Sequence, residues 1–133
     1  RFEVFEGDIL VSCSGTMGKI AVIPKNHKPG IINQALLKLT PNKLVIETEY
    51  LKTILESDTI QSKYFRNQSG VAIQNVASVK VLSGIDLPLP SLKIQKQIIE
   101  KIESERALVE STKKLIKMHE QKTKELISKL WEE

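Results

Sequence analysis

Apolar and polar positions change their period along this chain, and each change marks a different kind of element. Over residues 7–13 and 19–23, short apolar runs lie between Gly, Pro and polar clusters, which predicts two β-strands. Gly7-Asp8 turns the chain into the first of them. Ser14-Gly-Thr-Met-Gly18 is the loop between the two, since its glycines permit a positive φ. Pro24 stops the second strand, and the tract Lys25-Asn-His-Lys-Pro-Gly30 is a polar loop. Residues 2–5 are strand-like, and 31–39 read as a further strand region before Pro41-Asn42 turns the chain.

The period then becomes helical. Leu51, Ile54, Leu55, Ile60 and Tyr64 share one face of a single helix expected over 48–64, opened by Thr48 or Glu49. Residues 66–70 form a polar loop, 71–77 are mixed, and 76–82 are a short helix or strand. Residues 85–90 are extended, because Pro88 and Pro90 bias their predecessors away from the helical region.

From 91 to 130 the chain has neither Gly nor Pro. Ser91 is placed to cap a long helix. Steps of four and three from Ile98 pass through Ile102, Glu105, Val109, Thr112, Ile116, His119, Thr123, Leu126 and Leu130, with Ile99, Leu108, Leu115 and Ile127 widening the stripe. A helix of about 40 residues spans about 60 Å, and a stripe of that length needs a second helix to cover it. The seam expected to face that partner is Ile98, Ile102, Val109, Ile116, Leu126 and Leu130. Its polar members leave two readings, an imperfect coiled coil or positions that set register, and the former is preferred. The expected fold class is α+β. A small mixed α/β head over residues 1–90, with several short strands and one or two helices, precedes a long coiled-coil helix over 91–130 and a tail at 131–133.

Composition narrows the function. The 133 residues provide one modest domain and an appendage; at 41% hydrophobic but 5% aromatic, the core must be built mainly from Ile, Leu and Val. No apolar run approaches the ~18–20 residues of a membrane span, and no signal-peptide pattern is present at the start. The chain opens at Arg1 inside a strand-like run, so a fragment lacking its upstream part is expected. Cys13 has no disulfide partner, and with two scattered histidines no metal site is expected; a reducing, cytoplasmic setting follows. The net charge is +4, and ten Lys/Arg against eight Asp/Glu occur both in 1–90 and in 91–133. That spread is compatible with nucleic-acid binding but does not demand it.

Catalytic motifs fail on inspection. Ser14-Gly-Thr-Met-Gly-Lys19 approaches a nucleotide loop, but Cys13 stands where its first glycine belongs and Ile20 replaces the hydroxyl that would reach magnesium. Neither histidine is paired with a nucleophile, Asp8 reads as a turn residue, and no glycine fingerprint for a dinucleotide or S-adenosylmethionine occurs. The chain is not expected to be an enzyme or to carry a cofactor. Two polar sets are candidate DNA contacts: Lys25, Asn26, His27 and Lys28, and Lys63, Arg66, Asn67, Gln68, Gln74 and Asn75. Lysines suit phosphates, whereas Arg, Asn and Gln can read base edges. Ordinary solvated loops are the competing explanation.

One ordered set of residues is more specific. Gly7-Asp-Ile-Leu-x-Ser, Gly15-Thr-x-Gly18, Asn33-Gln-Ala-Leu, Tyr50-Leu, Gly70 with Gln74-Asn75, and Ile85-x-Leu-Pro-Leu-Pro-Ser-Leu-x-x-Gln95-x-x-Ile98 follow one another over nearly the whole chain. Together they resemble the DNA-specificity subunits of type I restriction–modification systems. The resemblance implies the later, C-terminal part of one target-recognition domain followed by one conserved helix. Such helices pair as an antiparallel coiled coil, space the two halves of a split DNA site and dock methyltransferase subunits. S-adenosylmethionine then belongs to the methyltransferase, and a restriction motor subunit is an indirect partner. The resemblance marks Gly7, Asp8, Gly15, Gly18 and Pro88 as scaffold positions, and the ending Glu120 to Trp131 is similar to the tail of such subunits. A complete recognition domain is longer than residues 1–90, which again implies missing upstream strands. The function expected is a non-catalytic DNA-recognition and assembly module. The alternative is a structural coiled-coil interaction protein without DNA binding. The isolated chain is expected to dimerise through its helix.

Overall fold

A computed structural model describes residues 3–66 and 83–131. β1 (Ile9–Ser12) is the middle strand of an antiparallel sheet in the order β2-β1-β3, between β2 (Ile20–Val22) and β3 (Leu36–Leu39). Ile9 pairs with Val22 and Leu39, and Val11 with Ile20 and Leu37. Strand alternation sends Ile9 and Val11 fully into the core, while Leu10 and Ser12 stay half-buried. α1 (Thr48–Glu56) packs beside β2 and adds Tyr50, Leu51 and Leu55 to the same core. Val4, Ile46, Ile60 and Phe65 complete it. The α+β head and the long helix expected from the sequence are both present.

The strand region expected over 31–39 is shorter. Asn33 bends the chain, its Oδ1 accepting the Ala35 N–H at 3.0 Å and its carbonyl the Leu36 N–H at 3.2 Å. Regular pairing therefore begins at Leu36, and Ile31 makes only an isolated bridge to Glu3. Of the strand-like run at 2–5, that bridge is the only pairing among the described residues.

The helix expected over 48–64 is interrupted. Ser57 is extended, and its hydroxyl both donates to the Ile54 carbonyl at 2.6 Å and accepts from the Ile60 N–H at 3.5 Å. One side chain thus ends α1 and caps α2 (Asp58–Ile60). A π-helical turn, Gln61–Arg66, follows. The apolar stripe survives the break, which is why periodicity alone concealed it. The short element expected at 76–82 lies outside the described residues.

α3 (Leu92–Lys129) begins where the sequence placed it: the Ser91 carbonyl accepts the Gln95 N–H at 3.0 Å. The Gln95 side chain is fully buried. Its Oε1 accepts the Glu47 N–H at 2.9 Å, and its Nε2 donates to the carbonyls of Val45 at 3.0 Å and Pro90 at 2.8 Å. Beside it the Tyr50 hydroxyl donates to the Pro88 carbonyl at 3.0 Å, and Lys96 pairs with Glu47 at 3.3 Å. The chain divides into compact units Arg1–Gln97 and Ile98–Glu133, so the first turn of α3 belongs with the head.

Asp8 is the other buried polar side chain among the described residues. Buried at the entry to β1, it accepts the Phe5 N–H at 2.9 Å and the Thr40 hydroxyl at 2.7 Å, with Lys38 Nζ 3.6 Å away. Burial alone would raise its carboxyl pKa; the Thr40, Phe5 and Lys38 contacts outweigh that and hold it below the ordinary carboxylate range. The sign of the linkage follows. The stabilisation is complete above the unfolded-chain value of about 4 and is lost as pH falls through the lower folded value. Asp8→Asn is therefore expected to lose less melting temperature than the parent between about pH 7 and about pH 3. Equal acid losses in thermal melts would remove Asp8 from this role.

Candidate nucleic-acid interface

The β1–β2 loop is pinned from both sides. Within the hairpin, the Ser12 hydroxyl donates to the Thr16 carbonyl and accepts the Lys19 N–H at 2.9 Å, while the Gly18 N–H reaches the Ser12 carbonyl at 2.9 Å. From below, Gln61 Nε2 donates to the Gly18 carbonyl at 3.0 Å and to the Leu55 carbonyl at 2.8 Å. Gly18 has φ +77°, and a Cβ there would come within 2.8 Å of Phe65. Only glycine allows the loop and the π-helical turn to approach this closely. Ser14, Gly15, Thr16 and Lys19 are exposed as a result, and a Cβ on Gly15 would meet nothing within 4 Å.

The same π-helical turn carries Lys63. Lys63 is exposed on the π-helical turn, its ammonium 5.1 Å from the centre of the Tyr64 ring. The Arg66 backbone closes the same turn. Asn67, Gln68, Gln74 and Asn75, the rest of this candidate set, lie outside the described residues.

The other set sits beyond the far end of β2. Lys25, Asn26 and Lys28 are exposed. His27 is half-buried, with Nδ1 3.2 Å from the Pro24 carbonyl and Nε2 3.1 Å from the Val4 carbonyl. Its two ring nitrogens thus face backbone and tie the loop to the segment before β1. Among the described members, Lys25 to Lys28 follow the Val22 end of β2, whereas the Gln61 bond to Gly18 sets the π-helical turn that carries Lys63 against the loop before Ile20. Each lysine is a solvated point charge, suited to a phosphate and poorly suited to reading a base.

On α3 the expected seam is open. Ile98, Val109, Ile116, Leu126 and Leu130 are exposed, from 37% at Ile98 to 76% at Leu130, and Ile102 is half-buried. Thr112 and Thr123 donate their hydroxyls to the Leu108 and His119 carbonyls, both at 2.9 Å. These two of the four polar seam positions are therefore satisfied on their own helix.

Gln95 and Gln61 are the positions that residue-by-residue reading passed over. Each bonds at least one main-chain atom more than 40 residues away, so no local signal marks it. Burial pushes the Cys13 thiol pKa up, against only a weaker opposing backbone contact, so it is a poor nucleophile. Among the described residues no group of three potential metal ligands occurs, and no helix is long and apolar enough to cross a membrane.

Two comparisons bear on this geometry. Residues 1–121 match the family model of the type I restriction modification DNA specificity domain. Over 116 residues the chain is 27% identical to the type I restriction enzyme EcoBI specificity subunit of Escherichia coli, an alignment covering 87% of this chain and 24% of that protein. The chain thus spans about a quarter of the length of the curated relative it matches.

Proposed function

The chain belongs to the family of type I restriction modification DNA specificity domains, and from that membership we propose that it is a non-catalytic DNA-recognition and assembly module. The observation that carries the reading is the unbroken family match from the sheet, through the Pro88–Gln95 junction, deep into α3. Head and helix are one functional inheritance rather than a fortuitous fusion. The head would read one half of a bipartite site in double-stranded DNA. The helix would pair with another helix, space the halves and dock methyltransferase subunits in the cytoplasm. S-adenosylmethionine would be bound by the methyltransferase, and the restriction motor would join indirectly.

Exposed lysines support the electrostatic part of this role. With Lys25, Lys28 and Lys63 each neutralising a phosphate, log affinity for duplex DNA should fall against log salt with a slope of about −3. The decisive experiment is a map of methylated adenines in the source genome. One bipartite motif is expected, and it should vanish when the segment encoding these residues is deleted. An unchanged methylation map, with salt-insensitive binding to protein partners, would instead favour the structural coiled-coil alternative.

The exposed seam generates a second expectation. Without a natural partner helix, a second copy of the chain should cover Ile98, Val109, Ile116 and Leu126. Sedimentation at micromolar concentration should give a dimer, and a monomer would count against the paired-helix role.

A further inference from the structure

The buried carboxamide of Gln95 joins two stretches of main chain that are far apart in sequence, residues 45–47 and the run from Pro90 into α3. Glu47 and Val45 belong to the turn that opens α1, Pro90 ends the extended segment after Ile85, and Gln95 itself stands in the first turn of α3. All three partners are backbone atoms, so the clasp does not depend on neighbouring side chains. Tyr50, one turn into α1, makes a parallel bond to the Pro88 carbonyl. Leucine or methionine would fill the space at 95 but would take the partner from one N–H and two carbonyls. The residue is thus chosen for connection and not for volume.

Such a connection has a consequence for a protein that measures distance. We propose that Gln95 is a positioning residue for DNA-site selection: by locking the first turn of α3 to residues 45–47 and 88–90, it makes the subunit intolerant of altered spacing between half-sites. The proposal rests on the DNA-specificity reading above. A stiff junction charges a deformation cost to any site whose halves are misplaced, whereas a loose one samples neighbouring spacings freely. Being fully buried, Gln95 touches no base itself. Its loss should therefore relax spacing while leaving the choice of bases intact.

The test uses the intact specificity subunit assembled with its methyltransferase. Duplexes carry the native half-sites at native spacing or one base pair longer or shorter, and transfer of labelled methyl groups is read at each. Gln95→Met is expected to lower the preference for native spacing about tenfold, with half-site preference unchanged. Tyr50→Phe removes only the bond to Pro88 and should lower it about threefold, giving a readout even where Gln95→Met fails to assemble. Lys96→Ala, which deletes the exposed ion pair with Glu47, should leave spacing preference as it was. The proposal is overturned by an unchanged spacing preference in Tyr50→Phe together with any assembled Gln95→Met complex. An equal loss of activity at every spacing also overturns it, because the junction would then merely hold the fold. A parent complex indifferent to its half-sites would be a separate result: it would sink the DNA-specificity reading, and this proposal with it.

Discussion

The structure depends on a single amide side chain placed where apolar packing would normally suffice. A buried carboxamide is costly unless both ends of its dipole are satisfied, and Gln95 satisfies them on the main chain of two other segments. The constraint works in both directions. The turn before α1 needs Gln95 for its Glu47 N–H, and Gln95 needs that turn to be buried at all. The head and the start of the long helix are consequently one cooperative unit, which is why the compact first unit extends to Gln97 and does not stop at the prolines.

A second constraint shapes another part of the head. Gly18 is held against Phe65, and Gln61 bonds the carbonyl of that same glycine, so the hairpin loop and the π-helical turn form one surface. Asp8 does comparable work at the base of the sheet, fixing the entry to β1 against Thr40 and Lys38. Between these anchors the exposed loops can differ in side chain without disturbing the core. That arrangement suits a protein whose scaffold stays constant while its contacts encode a target.

How much of this was legible in the sequence depended on the range of the interaction. β1, β2 and the loop between them follow from local alternation and glycine placement, and α3 from its uninterrupted helical period. Ser57 hid the break after α1, because the apolar period runs on through Ile60 and Tyr64 even though the backbone turns, and it is Phe65 that enters the core. Ile31 looked like strand, but Asn33 captures the Ala35 N–H and delays pairing to Leu36. His27 stood among the candidate DNA contacts, yet its ring nitrogens face the Pro24 and Val4 carbonyls. Gln95 was visible as part of a family pattern and invisible as a cause, since its partner Val45 is 50 residues away. The proposed DNA contacts were the least legible, because no scaffold physics selects them.

The claim that the Gln95 carboxamide fuses the turn before α1 to the start of α3 is tested most directly by amide hydrogen exchange at Glu47. Glu47 precedes the first turn of α1, where a backbone N–H ordinarily exchanges by local fraying. With Gln95 Oε1 as its acceptor, this amide should be protected to the same degree as those of Ile9 and Val11 in the central strand. Exchange at the rate of an open turn, while the β1 amides stay protected, would contradict the account.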